Sequence, residues 1–99
     1  MAAVTIQTGA LGIKKKVLVT NARGLHARAA AKVVKLSEQF QCDITVRHGD
    51  QSASGKSMLD LLMLAATPGS EIEIEAHGAD AVNAVDALAA LVTRKFDEE

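Results

Sequence analysis

Glu71-Ile72-Glu73-Ile74-Glu75-Ala76 alternates charged and apolar residues without a break. This period of two is typical of a β-strand that buries one face and exposes the other to water. Strands of this one-sided kind form antiparallel sheets whose buried face is covered by helices. The stretch therefore predicts an α+β fold in which helices pack on one face of an open sheet.

Three stretches upstream predict the remaining strands of this sheet. Residues 44–47 alternate in the same way, and Gly49-Asp50 offers a tight turn before a short second arm over residues 51–54. Residues 13–20 form a β-branched run whose apolar side chains share one face, at Ile13, Val17 and Val19. The expected sheet thus has four strands, two of them joined in a hairpin.

The first predicted helix runs from Ala27 to about Glu38 and carries a basic outer stripe. Its expected apolar face consists of Ala27, Ala30, Ala31 and Val34. The second helix, Met58 to about Ala65, follows Ser57, which stands three residues before Asp60 as in a capping box.

Asp80 is the expected N-cap of the last helix. The apolar stripe of that helix is formed by Val82, Val85, Ala89, Val92 and Phe96. The predicted order is β-α-β-β-α-β-α.

Length and composition restrict the possible functions. The 99 residues fit one domain, and a net charge of -1 with only two aromatic residues argues against nucleic-acid binding. Nine of the eleven Lys and Arg residues precede Ser57, and nine of the twelve Asp and Glu residues follow it, which favours an acidic or phosphorylated partner for the basic half. The single cysteine, Cys42, is expected to be a small buried apolar residue.

The chain is expected to divide into three parts. Residues 1–12 are interpreted as a flexible N-terminal extension, residues 13–96 as the folded domain, and residues 97–99 as an acidic tail. Neither a signal peptide nor a membrane-inserting segment is expected, so the predicted location is the cytoplasm.

Gly24-Leu25-His26-Ala27-Arg28 opens the first helix and is the candidate functional segment. The first N–H groups of a helix lack internal partners and bind anions, and Arg28 adds a fixed positive charge. Histidine is an unusual N-cap, and the positive end of the helix dipole favours its neutral, nucleophilic form. The segment fits phosphate transfer through His26, although spacing alone leaves open a loop-ending histidine beside a solvated arginine.

Residues 13–96 resemble the histidine-containing phosphocarrier proteins HPr and NPr of the phosphoenolpyruvate-dependent phosphotransferase system. Two motifs carry the resemblance: GLHAR at residues 24–28, and SASGKSML at residues 52–59, which opens the second helix. Ala29 departs from the family pattern, which places proline there. The resemblance implies an open-faced β-sandwich with a four-stranded antiparallel sheet and three helices on one face.

The same resemblance implies that His26 accepts a phosphoryl group on Nδ1 from phosphorylated enzyme I and passes it to an enzyme IIA protein. Arg28 would hold the phosphoryl oxygens. The chain would then be a stoichiometric carrier rather than an enzyme, with no cofactor, and we expect a monomer.

The second motif resembles two further features of the family. Ser57 matches a serine that an HPr kinase/phosphorylase modifies in many members, and this role is compatible with that of a plain N-cap. The partner-docking surface implied by the resemblance consists of Ala27, Met58, Leu59 and Leu62. Core packing is the alternative role for part of this apolar helix.

His48 and His77 are expected to be surface residues, and no metal site is predicted. One reading from a different class remains open, because antiparallel sheets with helices on one face also occur in ferredoxin-like ligand-binding regulatory modules. Such a module would have no special need for His26 or Arg28.

Overall fold

The computed structural model describes residues 12–98, so the expected N-terminal extension lies outside the described residues except for Gly12. The elements follow the predicted order. They are β1 (Ile13–Leu18), α1 (Ala27–Ser37), β2 (Cys42–His48), β3 (Gln51–Ser54), α2 (Met58–Met63), β4 (Glu71–Gly78) and α3 (Ala81–Thr93), followed by a short 3₁₀ turn (Lys95–Asp97).

The four strands form one antiparallel sheet in the order β1-β4-β2-β3. The alternating stretch that opens β4 lies in the middle, where Ile74 stands opposite Lys15 of β1 and Val46 of β2. Ile72, Ile74 and Ala76 are at most 3% exposed. The one-sided strand predicted from the sequence is therefore confirmed.

All three helices pack on the apolar face of this sheet. Strand residues such as Val46, Ile72 and Ile74 contact a shared core with side chains from every helix: Val33, Leu61, Leu88 and Val92, joined by Phe96. The opposite face carries the charged residues of β4 and has no helix over it within residues 12–98. The fold is the predicted open-faced α+β sandwich.

The predicted apolar face of α1 is wrong by about one residue. The helix buries Ala29, Ala30, Val33 and Ser37, whereas Ala27 and Ala31 are exposed. Successive residues are about 100° apart around a helix, and alanine stands on nearly every side of this first turn. Composition therefore could not select the buried face.

Two helix boundaries and one stripe also differ from expectation. Helix α2 ends at Met63, because Ala65 adopts a left-handed conformation (φ 51°) that turns the chain. Asp80 is the N-cap residue of α3, as predicted, but its side chain makes no capping hydrogen bond; the carboxylate instead accepts one of 2.8 Å from the Gln41 N–H. Helix α3 ends at Thr93, so Phe96 of the predicted stripe lies beyond the helix, in the 3₁₀ turn. Val82 of the predicted apolar stripe is 54% exposed.

Candidate functional site

Gly24 sets the path of the chain into the site. Its φ of +66° is a conformation that favours glycine, and a Cβ at this position would lie 2.5 Å from the carbonyl oxygen of Ala66. The N–H of the next residue, the buried Leu25, donates to that same carbonyl at 2.9 Å. This close approach fixes the turn that delivers His26 to the start of α1.

His26 is the N-cap of α1, as predicted, and its imidazole does act as a cap. The Nδ1 atom accepts a hydrogen bond of 3.3 Å from the backbone N–H of Arg28. An accepting nitrogen must present its lone pair, so the proton of a neutral ring lies on Nε2. In the neutral ring the free lone pair of His26 is therefore on Nδ1, directed at the N–H groups of the first turn.

The Nε2 atom of His26 faces a carboxylate from the other end of the chain. Glu98 Oε2 lies 2.5 Å from Nε2, and both side chains are only 17% exposed. The second oxygen, Oε1, accepts from Asn21 Nδ2 at 2.9 Å. The hydrogen bond from Asn21, supported by that from His26, lowers the pKa of Glu98 below its ordinary value, so the carboxylate is ionised at neutral pH.

Around this histidine lies an open cleft in which, among residues 12–98, basic side chains outnumber acidic ones. It is lined by Ala22, Arg23, His26, Arg28, Lys32, Asp97 and Glu98. Arg28 is exposed, and its side chain has no hydrogen-bond or ion-pair partner within residues 12–98. Three residues of the basic half of the sequence thus gather at His26, and an incoming anion would meet Arg28 unoccupied.

Sequence reasoning missed two residues of this site. Asn21, expected in a simple loop, is 1% exposed and donates to both Gly24 O (2.8 Å) and Glu98. Glu98, expected in an acidic tail, folds back onto the ring. The only signal in the sequence was Phe96, predicted as part of the apolar stripe of the last helix. It is fully buried, and its carbonyl oxygen contacts Lys32 of α1, so the residues that follow it lie beside that helix.

Ser57 caps α2 as predicted, since its hydroxyl accepts from the N–H of Asp60 at 3.3 Å. The helix that follows is divided between core and surface. Leu61 is fully buried, whereas Met58, Leu59, Leu62 and Met63 are 38%, 70%, 36% and 68% exposed. An apolar surface is therefore exposed on α2, and it includes Met63 besides the three α2 residues predicted from the sequence.

The other two histidines, expected at the surface, are half-buried. His77 Nε2 lies 2.6 Å from Glu75 Oε2, a contact that the sequence did not predict. Two residues apart on one strand, these side chains share a face. His48 Nδ1 lies 2.9 Å from the carbonyl oxygen of Leu64.

Cys42 is buried and free, as predicted, and burial raises the pKa of its thiol. Within residues 12–98, no three His, Cys, Asp or Glu side chains are grouped as metal ligands would be. None of the helices described has the length and apolar composition needed to cross a membrane.

Comparison with known proteins places this chain in a family. The family model described as "PTS HPr component phosphorylation site" matches residues 13–94. The chain therefore belongs to the HPr family of phosphocarrier proteins of the phosphotransferase system, which are carriers rather than catalysts. Family membership implies partners of that system, such as enzyme I and enzyme IIA proteins.

Individual relatives cover nearly the whole domain. The chain is 44% identical over 86 residues to the phosphocarrier protein NPr of Shewanella violacea, covering 87% of this chain and 94% of that protein. It is 40% identical over 86 residues to the phosphocarrier protein HPr of Neisseria meningitidis, covering 87% and 97%. A crystal structure of HPr-C-His from Thermoanaerobacter tengcongensis matches with a TM-score of 0.84 at 31% identity, covering 88% of this chain and 98% of that one.

These matches favour the phosphocarrier over the ferredoxin-like regulatory module, the alternative left open by the sequence. Both the sequence similarity and the fold similarity extend over at least 87% of the chain in these three comparisons.

Proposed function

We propose that this protein carries a phosphoryl group on His26 Nδ1, received from phosphorylated enzyme I and passed to an enzyme IIA protein in the cytoplasm. The observation that supports this most directly is the orientation of the ring, whose Nδ1 accepts from the Arg28 N–H. Its lone pair thus points to the first turn of α1, where unpaired N–H groups and the helix dipole favour an anion. The protein takes part stoichiometrically, with no turnover of its own.

Arg28 has a separate role in this proposal. Its exposed guanidinium, without a side-chain partner in residues 12–98, is available to the phosphoryl oxygens, and its backbone N–H already lies at Nδ1. Charge that develops on the phosphoryl oxygens during transfer is stabilised by such prepositioned donors. Arg23 and Lys32, which line the same cleft, extend the positive surface toward an incoming phosphoprotein.

The decisive experiment is labelling with enzyme I and phosphoenolpyruvate. We expect one phosphoryl group per chain, labile in acid and stable in base, and no label on His26→Ala. His48→Ala is the matched control, because His48 lies on β2 and contacts Leu64 rather than the cleft. Equal labelling of wild type and His26→Ala would refute the proposed site.

Docking of both partners is proposed to use the apolar surface of α2 together with Ala27. Met58, Leu59 and Leu62 are exposed, although burying a large apolar side chain is favourable by about 1.5–3 kcal/mol. Ala27 is exposed next to His26 and is the member of the proposed docking surface that lies on α1. A partner that covers these residues would bring its own phosphoryl-bearing group to the cleft.

Ser57 is proposed as a regulatory phosphorylation site for a kinase of the HPr kinase/phosphorylase type. The half-buried hydroxyl stands at the N-terminus of α2, immediately before Met58 and Leu59 of the docking surface. A phosphate there would add a charge of about -1.5 to -2 beside an apolar interface. Modification would therefore weaken docking while leaving the helix itself stable.

Relatives named HPr and NPr are both found, so the acceptor is to be identified by reconstitution. Each enzyme I and each enzyme IIA of the source organism is combined with the purified protein, and the rates of transfer are compared. The pair with the highest rate identifies the cognate branch, whether sugar uptake or nitrogen regulation.

A further inference from the structure

The segment that carries Glu98 into the site has an unusual backbone. Lys95, Phe96 and Asp97 have φ values of 62°, 55° and 62°, three consecutive left-handed residues of which none is glycine. Side chains disfavour this conformation, so it persists only where surrounding contacts impose it. Residues 95–98 are called the C-terminal strap below.

Contacts at each end hold the strap in this conformation. Phe96 is fully buried in the core, and its carbonyl oxygen accepts from Lys32 Nζ of α1 at 2.7 Å. At the far end both oxygens of Glu98 are engaged, one by Asn21 and the other by His26. Asn21 also donates to Gly24 O, so the strap is tied to the loop that delivers the histidine.

We infer that Glu98 is a positioning residue for phosphoryl transfer, which holds the His26 ring proton on Nε2 and so keeps Nδ1 as the nucleophile. The inference rests on the proposed function of His26. Anchoring of the strap would not by itself require a carboxylate at the ring. The strap places the Glu98 carboxylate on the nitrogen opposite the proposed reacting one, as in other nucleophile sites where a third group orients the base.

The proton balance of the transfer follows from this arrangement. The Nδ1 lone pair forms the new N–P bond while the bond between phosphorus and the donor breaks, and the ring becomes a cation that still carries its proton on Nε2. Glu98 then makes a charge-assisted hydrogen bond to that proton. When the phosphoryl group leaves for the acceptor, the N–P electron pair returns to Nδ1 and the ring departs neutral, so no proton needs to move.

The basic groups at the cleft oppose the effect of Glu98, because their positive charges disfavour a positively charged ring. Arg23 from the loop and Arg28 and Lys32 from α1 are basic, and among residues 12–98 Asp97 is the only other acidic residue lining the cleft. Asp97 accepts from Arg94 Nε at 2.7 Å and makes no hydrogen bond or ion pair with the ring among the residues described. Asp97→Asn is thus a matched control, one residue from Glu98 in the same strap.

The first measurement uses the unphosphorylated protein. ¹⁵N and ¹H NMR of the His26 ring should show an Nε2–H proton protected from exchange with water in wild type and in Asp97→Asn. In Glu98→Ala we expect that protection to be lost. Glu98→Gln, which keeps the shape of the side chain without its charge, serves if the alanine variant proves unstable, and reduced protection is expected there.

The second measurement is the pH profile of phosphohistidine hydrolysis. The charge-assisted hydrogen bond to Glu98 stabilises the positively charged, phosphorylated ring that is the leaving group in hydrolysis. We therefore expect the phosphoprotein of Glu98→Ala to live roughly tenfold longer at neutral pH, with the profile moved to lower pH. Coincident profiles for wild type and Glu98→Ala, or an equal displacement in Asp97→Asn, would overturn the inference. Failure of the proposed function would appear differently, as wild-type protein that takes no phosphoryl group at His26.

Discussion

At the scale of single residues, Arg28 contributes to the site through two of its groups. Its backbone N–H holds Nδ1 of His26, and any residue except proline would supply that contact. Its guanidinium lines the cleft without a partner in the part of the chain described, and that contribution is specific to arginine. Replacing Arg28 by alanine removes the guanidinium but keeps the backbone N–H. The variant therefore tests the proposed charge stabilisation without removing the contact that orients the ring.

Arg28→Ala is expected to slow phosphoryl transfer from enzyme I by roughly 10²-fold, the usual effect of removing one donor to a developing anion. Thermal unfolding should change little, since an exposed substitution shifts stability by about 0.5 kcal/mol or less. Rapid-quench transfer kinetics and matched thermal melts measure the two effects. The control is Lys35→Ala, which removes an exposed lysine on the same helix away from the cleft and should leave both quantities unchanged. Unchanged transfer kinetics in Arg28→Ala would contradict the proposed role of its guanidinium.

At the scale of elements, α2 combines two requirements in six residues. Its inner face must complete the core, which Leu61 does at 0% exposure, and its outer face leaves Leu59 at 70% exposure. The two leucines differ in environment rather than in chemistry. Identical substitutions at these positions therefore distinguish packing from docking.

Leu61→Ala is expected to reduce the free energy of unfolding by about 2–5 kcal/mol through lost burial and a residual cavity. Leu59→Ala should change it by less than about 0.5 kcal/mol and instead weaken binding to enzyme I. Urea unfolding and calorimetric titration give the two quantities. Unaltered affinity in Leu59→Ala would argue against α2 as the docking surface.

The N-terminus of α2 allows a test of regulation in which capping is held constant. Ser57→Asp and Ser57→Asn both retain an oxygen that can accept from the Asp60 N–H, the contact that Ser57 makes. Only the aspartate adds charge next to the apolar surface. We expect weaker enzyme I binding for Ser57→Asp alone, and equal affinities of the two variants would exclude a charge-based effect.

At the scale of the whole molecule, the open face of the sheet is held by a network of charges centred on Glu75. This carboxylate on β4 is hydrogen-bonded to Arg47 of β2 and to His77, and it is buried on the face that carries no helix in the described part of the chain. The hydrogen bond from Arg47, followed by that from His77, lowers the pKa of Glu75 below its ordinary value of 4.5. The network thus connects β4 to its neighbour β2 on the charged face of the sheet.

The lowered pKa makes stability depend on pH in a definite direction. As the pH falls, the unfolded chain binds a proton at Glu75 at a higher pH than the native state does. The contribution of Glu75 to the free energy of unfolding is therefore present above pH 4.5 and is lost as the pH falls through the lower pKa of the native state. Glu75→Gln should be about 1–3 kcal/mol less stable than wild type at pH 7, with the difference shrinking as the pH falls below 4.5. Urea unfolding at a series of pH values measures this, and Glu71→Gln, at an exposed position of the same strand, is the control. A constant difference at all pH values would show that the effect is not ionic.

Features predicted correctly from the sequence are those that depend on neighbouring residues. The alternation of residues 71–76, the hairpin turn at Gly49 and the cap at Ser57 each express a local backbone preference, and each is found where it was expected. The order of elements and the α+β class follow from them. His26 at the start of α1 belongs to the same group, because a helix N-terminus is itself a local feature.

Features that the sequence left undetermined depend on how distant segments pack. His26 and Glu98 are 72 residues apart in the chain, and only the burial of Phe96 and the left-handed strap bring them within 2.5 Å. Packing against the sheet likewise determined which face of α1 is buried, because alanines stand on nearly every side of its first turn and the sequence does not distinguish between them. By itself, then, the sequence determined which residue is the proposed phosphoryl acceptor. The tertiary structure decided which ring nitrogen of that residue faces a carboxylate and which faces the first turn of α1, because the carboxylate comes from a distant segment of the chain.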